Sequence, residues 1–167
     1  RIPVYLNQST AKDILARFSY CFISPEGSDY PPILTEHSIE AGQSRSIEGK
    51  GGALTLSAFI VEHGNIPALG YRIGDAAYTP DLNDIPEESW PALQDLDLWI
   101  VDGLRYAGHP SHFSVNDALG WIDRFKPRRM CEQCRFRHTG IVQPVLDFTA
   151  RHGRFLGIEQ ARAEEFE

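Results

Sequence analysis

Cysteine is scarce in this chain, positive charge is outnumbered, and no apolar run is long. The three cysteines, Cys21, Cys131 and Cys134, are too few and too unevenly placed for a disulfide framework, which suits a reducing compartment. No apolar stretch approaches the roughly 20 residues that span a bilayer, and the opening Arg-Ile-Pro-Val-Tyr has no signal-peptide pattern. A cytoplasmic protein without membrane contact is expected. With 16 Lys+Arg against 23 Asp+Glu the net charge is −7, so the surface as a whole should repel nucleic acid and anionic lipid. A small anionic substrate then needs a local metal ion or a helix terminus to hold it. The chain also starts at Arg1 rather than Met, and an incomplete chain is the expected reason.

What is present suits one globular domain. The 42% apolar and 23% charged content over 167 residues is enough to bury a core. Ile2 to Leu6 is of strand type, and Ser9 is the expected N-cap of a helix whose Ala11, Ile14, Leu15 and Phe18 share a face. Ser24 to Gly52, rich in turn formers, predicts loops with short strands. Leu54 to Val61 alternates as a strand does and ends in Glu62-His63-Gly64. Ala68 to Ile73 and Ala76 to Thr79 form a hairpin around Gly74-Asp75. Asp84-Ile-Pro-Glu87 resembles a capping box for a helix to about Leu93, which Pro91 shortens. Leu96 to Val101 suits a buried strand with Asp102 at its carboxyl end. Ser114 to Asp117 is a second cap, opening a helix in which Val115, Ala118, Leu119, Ile122 and Phe125 share a face until Pro127 closes it. Val142 to Ala150 suits a short helix, and the acidic tail from Glu159 suits solvent. Strands and helices alternate, so the fold class is α/β.

Several positions carry chemistry or an ordinary structural role. His63 follows a strand and precedes Gly64, where its side chain can reach a site or simply hydrogen-bond within a turn. Asp81 lies just past the next strand pair, as a ligand or as a turn aspartate. His112 lies two residues before the cap Ser114, near unsatisfied N–H groups and a positive helix end suited to phosphate, and can give a proton to a leaving oxygen; otherwise it is a loop histidine. His109 is expected to face solvent, and Asp84 to be the helix cap. Cys131, Cys134 and His138 supply three zinc-type ligands without an obvious fourth, and read better as ordinary thiols and a histidine. Arg124, Lys126, Arg128, Arg129, Arg135 and Arg137 cluster, and in an acidic chain they are expected to be a solvated face.

Taken together, Val61-Glu-His63-Gly64, Leu69-Gly-Tyr-Arg-Ile, Tyr78-Thr-Pro-Asp81-Leu-Asn-Asp84-Ile-Pro, Leu96-Asp-Leu-Trp-Ile-Val-Asp102-Gly-Leu-Arg105 and His109-Pro-Ser-His112-Phe-Ser resemble the metallo-β-lactamase superfamily. The branch they are most similar to is that of the phosphoribosyl cyclic phosphate phosphodiesterases. The resemblance implies an αβ/βα four-layer sandwich, of which this is the later part, over residues 1–130, with a divergent segment 131–167. It implies two divalent metal ions, Zn or Mn, with His63 as a ligand, Asp81 bridging the metals and His112 as general acid. The substrate implied is a small, cyclic phosphate ester, and a homodimer is compatible with it. The family's His-x-His-x-Asp-His motif occurs nowhere in the 167 residues, and after Arg129 the family's final ligand histidine is not matched. A non-catalytic remnant or partner-binding half domain is therefore the alternative. An RNA-end substrate, as in tRNA-processing relatives, fits the acidic charge poorly.

Overall fold

The computed structural model describes residues 1–103 and 105–132. They fall into two compact units, Arg1–Ala58 and a second that begins at Phe59. Among the described residues no helix is long and apolar enough to cross a membrane. Cys134, His138, the side chain of Cys131, the expected helix from Val142 to Ala150 and the acidic tail lie outside the described residues.

In the first unit, β1 (Ile2–Leu6) pairs in parallel with β2 (Leu34–Ser38). Parallel strands need a crossover, which here includes α1 (Gln8–Phe18). The cap of α1 is Asn7, not Ser9: the Asn7 carboxamide oxygen accepts from Thr10 N at 2.8 Å, and Ser9 lies inside the first turn. Asparagine at the strand exit reaches the free N–H two positions earlier than the serine pattern suggests. Ala11 is buried, Ile14 and Leu15 are half-buried, and Phe18 is exposed. The turn-rich stretch does contain short strands, β2 and β3 (Ser44–Gly49), the latter antiparallel to the first half of β4 (Gly52–His63).

The second unit opens on the end of β4, and its sheet runs in the order β4, β5 (Ile66–Ile73), β6 (Ala76–Thr79), β7 (Leu98–Val101), β8 (Arg129–Glu132). The β5–β6 hairpin turns at Gly74-Asp75 as the pattern predicts, with Gly74 at φ 55°, the sign a two-residue hairpin demands. From there the chain crosses over twice, so that β6, β7 and β8 are parallel. In β6 and β7 buried residues alternate with half-buried ones, so neither face is open to solvent and the runs are mostly apolar. The second crossover carries α2 (Val115–Phe125), whose Val115, Ala118, Ile122 and Phe125 are buried, with Leu119 half-buried beside them. Lys126 leaves the helix at φ 50° and Pro127 bars its continuation.

One apolar core, with Trp99, Leu82, Leu93, Leu96, Val101 and Phe113 at 2% exposure or less, joins the sheet to α2 and to the 3-10 helix Glu87–Leu93. Trp99 satisfies its indole N–H on Thr79 Oγ1 at 3.0 Å, which is what allows so large an amphipathic ring to be fully buried. The segment Asp84 to Leu93 corrects the expected capping box. Asp84 forms a β-bridge with Glu62, its carboxylate accepts from Ile85 N at 2.8 Å, and the following 3-10 helix starts after Pro86 with no side-chain cap. Pairing to a strand end holds Asp84 in an extended conformation, and Pro91 keeps the turn from becoming an α-helix.

Gly70 shows how closely this core is built. A Cβ there would lie 2.5 and 2.6 Å from ring carbons of Phe59 and 3.0 Å from Thr79 Cγ2. Gly70→Ala is expected to destabilise the fold by about 1–3 kcal/mol, read as a lower denaturant midpoint at unchanged slope. Adding Phe59→Leu should recover part of the loss. Equal stability of Gly70→Ala and the parent would show that the strand shifts freely.

Candidate functional site

Backbone hydrogen bonds bring three segments of the second unit to one end of its sheet. The chain after β6 returns to the end of β4: Asn83 N donates to Glu62 O at 2.7 Å and Glu62 N to Asp84 O at 3.0 Å. Gly64 N donates to Asn83 Oδ1, and Gly64 adopts φ 65°, so the turn after His63 is tied to the same segment. The loop after β7 is held on both sides, by Phe113 N to Leu82 O at 2.6 Å and Val115 N to Arg105 O at 3.0 Å. His63, Asp81, Asp102, His109 and His112 all lie on these tethered stretches.

Their side chains converge on His112. Its Nδ1 lies 2.5 Å from Asp102 Oδ2 and 3.9 Å from Asp81 Oδ1. The His63 ring meets it edge-on with centroids 4.7 Å apart, and the His109 ring lies 5.1 Å away. His63 Nδ1 is 2.7 Å from the carbonyl of Ser111, which can only accept, so Nδ1 carries the proton and Nε2 keeps its lone pair. The same logic applies to His112, whose Nδ1–H donates to Asp102. The structure therefore brings together His63, Asp81 and His112, the three residues singled out in the sequence.

Electrostatics follow burial. Asp102 is 4% exposed, and desolvation raises its carboxyl above the usual range; the hydrogen bond and charge of His112 pull it back, while the charge of Asp81 pushes it further up. His109 is half-buried rather than facing solvent as expected, and Ser111 N and Oγ approach its Nδ1 at 3.4 and 3.2 Å. Partial desolvation, with the charges of Arg105 and His112, lowers its pKa below the usual histidine value.

The expected phosphate seat at the start of α2 is corrected. Ser114 and Asp117 form a closed capping box, with Ser114 N donating to Asp117 Oδ2 at 2.9 Å and Asp117 N to Ser114 Oγ at 3.2 Å. Val115 N is taken by Arg105, and Ser114 itself is buried. Three N–H groups at the helix start, those of Ser114, Val115 and Asp117, are engaged, and the Asp117 carboxylate already lies at the positive helix end. Sequence reasoning placed Asp102 at a strand end without giving it a role, and missed Ser111. The available signal for Asp102 was its position, an acid directly after an apolar strand and followed by Gly103.

The donor set fits part of a metal site. A histidine with a bare Nε2, turned by a backbone carbonyl, and the 61% exposed Asp81 side chain are ligand types for zinc or manganese. Among the described residues no group of three or more His, Cys, Asp or Glu is placed to hold a metal ion.

An α/β fold with histidines and carboxylates gathered at strand ends is that of the metallo-β-lactamase-type hydrolases, and comparisons agree. A family model described as "Beta-lactamase superfamily domain" matches residues 1–132. The chain belongs to that family. Among solved structures it resembles a diphosphatase from the PhnP family, with 26% identity and a TM-score of 0.66 over 79% of this chain and 47% of that one. It also resembles the metallo-beta-lactamase fold protein YhfI from Bacillus subtilis, at 16% identity and TM-score 0.64 over 92% of this chain and 60% of that one. An octanoyltransferase of Porphyromonas gingivalis (strain ATCC BAA-308 / W83) is 31% identical over 124 residues, 72% of this chain. The chain spans about a quarter of that curated relative, 24%, so its name describes a protein of which the matched segment is a minor part.

Asp102 provides a pH test of the site's electrostatics. A carboxyl raised in the folded state holds its proton more tightly than in the unfolded chain, so its contribution to stability is full below the ordinary value of 3.8 and declines as pH rises through the raised folded value. Asp102→Asn cannot titrate. The stability of the variant relative to the parent is expected to improve as pH rises from about 4 towards 7. Parallel stability curves over that range would show that the buried carboxylate carries no net penalty.

Proposed function

We propose that this segment forms part of a metal-dependent phosphodiesterase acting on a small, cyclic phosphate ester. The observation that carries the reading is the convergence of His63 Nε2, Asp81 and the Asp102-paired His112 on one sheet end. His63 and Asp81 would hold divalent metal, Zn or Mn, together with ligands outside the described residues. Bound there, such ions would supply an activated water and polarise the phosphoryl oxygens. The chain's own residues do the rest. Asp102 holds the imidazole of His112 by its Nδ1–H and stabilises the imidazolium, and Nε2 of that imidazolium gives its proton to the leaving alkoxide. The likeness to a diphosphatase of the PhnP family supports phosphate chemistry. A cytoplasmic location is part of the same reading.

A second reading, a non-catalytic half domain that binds a partner, is favoured by two observations. No three-ligand group occurs among the described residues, and Ile23, Tyr30 and Ile33 of the first unit are 59–84% exposed. Zinc calorimetry on the chain bears on both. Two ligands leave most of a coordination shell to water, so weak or no binding is expected. Tight stoichiometric zinc lost on His63→Ala would contradict this; tight zinc lost only on Cys131→Ala would point to a separate cysteine site.

The decisive experiment uses a full-length protein carrying both this segment and a His-x-His-x-Asp-His motif. His112→Ala should leave metal content intact and lower turnover of phosphodiesters by about 10²- to 10⁴-fold. The loss should shrink with a p-nitrophenyl ester, whose leaving group needs little protonation. Loss of metal, or an equal loss with good and poor leaving groups, would make His112 a ligand or a positioning residue. No phosphodiesterase activity in the parent would favour the half-domain reading.

A further inference from the structure

The capping box on α2 places a carboxylate where a phosphate was expected, and the loop that carries His112 contains another donor. We propose that Ser111 is a positioning residue that sets two histidines in opposite tautomers, leaving His63 Nε2 bare as a ligand and presenting His109 Nε2–H as an uncharged hydrogen-bond donor to an anionic oxygen of the substrate. The assignment rests on the phosphoester reading of the site, and its test is independent of turnover.

The argument needs only which groups are obliged to donate or accept. The Ser111 carbonyl can only accept, and it lies 2.7 Å from His63 Nδ1, so that nitrogen is the protonated one. The Ser111 backbone N–H can only donate, and it points at His109 Nδ1 at 3.4 Å, with Ser111 Oγ at 3.2 Å from the same nitrogen. An Nδ1 that accepts has its proton on Nε2. One residue thus faces two imidazoles with groups of opposite polarity. Pro110 before it limits the backbone, and Gly64 lets the turn after His63 approach, since a Cβ there would lie 3.1 Å from Ser111 Cβ.

The consequence is a division of labour among three histidines whose rings lie within 4.7 and 5.1 Å of the central one. His63 offers a lone pair, His112 a transferable proton, and His109 a fixed N–H. A fixed neutral donor suits a non-reacting phosphoryl oxygen, because it orients the ester without competing as an acid for the leaving group.

Long-range ¹H–¹⁵N correlation on the chain with labelled histidine, at a pH of about 8 where free imidazole is neutral, reads the tautomers directly. His63 is expected as Nδ1–H and His109 as Nε2–H. Ser111→Ala keeps both main-chain groups and should leave both tautomers unchanged, whereas Ser111→Pro, which removes the N–H and keeps the carbonyl, should mix the His109 tautomers and leave His63 as Nδ1–H. Inorganic phosphate is the ligand probe, followed by its shift of the His109 ring signals in the parent. Its binding, followed on the His112 ring, should weaken about tenfold or more in His109→Phe and recover in His109→Gln, whose amide N–H replaces the donor. An Nδ1–H tautomer at His109, an unaltered His109 tautomer ratio in Ser111→Pro, or phosphate that leaves the His109 ring unshifted would each overturn the proposal. A full-length protein that hydrolyses no phosphodiester yet shows these tautomers and this phosphate contact would refute the phosphodiesterase reading and support this one.

Discussion

A carboxylate taken out of water must be answered by hydrogen bonds, and Asp102 is the buried carboxylate on which the site depends. It stands where β7 ends, and its backbone N–H is already spent on Thr79 O of the neighbouring parallel strand. Its carboxylate is answered by the backbone of Leu82 and by the side chain of His112, the latter at 2.5 Å. That contact draws the loop after β7 across the sheet end and brings with it Ser111 and His109. His63 then has a carbonyl to turn against, and Asp81 a cation-capable ring at 3.9 Å.

The tethers beneath this contact are backbone bonds, which explains how a loop can hold a geometry. Leu82 O accepts from Phe113 N, Arg105 O from Val115 N, and Glu62 pairs on both sides with Asn83 and Asp84. Phe113 and Leu82 are each buried, so the polar bond between their main chains is shielded by their own side chains. The closed cap on α2 belongs to the same design. It secures the helix start against the loop by engaging the Ser114 and Asp117 N–H groups.

The family and the partial coverage of its relatives bear on chemistry as well as on kinship. The chain spans 47% of a PhnP-family diphosphatase and 60% of YhfI, with the fold retained over the matched part. Within that span lie a general-acid candidate with its partner and two ligand-type side chains, but no set of three ligands among the described residues.

Much of this was legible in the sequence, for a local reason. Alternation in Leu54 to Val61, the Gly74-Asp75 turn, the buried run before Asp102 and the Ser114 to Asp117 box are signals written within a few residues, and each element formed where its signal stood. Two local signals misled. Ser9 lost the cap to Asn7, whose side chain stands first at the strand exit and reaches Thr10 N, and Asp84 was drawn into a bridge with Glu62 by pairing no local pattern encodes. The resemblance pointed to His63, Asp81 and His112, but not to their hydrogen bonds. By itself the sequence determined the order of strands and helices, the charge, and which imidazoles and carboxylates were available. Only the tertiary structure decided that Asp102 is the partner of His112, that Ser111 addresses two histidines with opposite polarity, and that the Asp117 carboxylate sits at the helix start. Those outcomes depend on distances between residues far apart in the chain, and the packing of β7, the loop and α2 sets them.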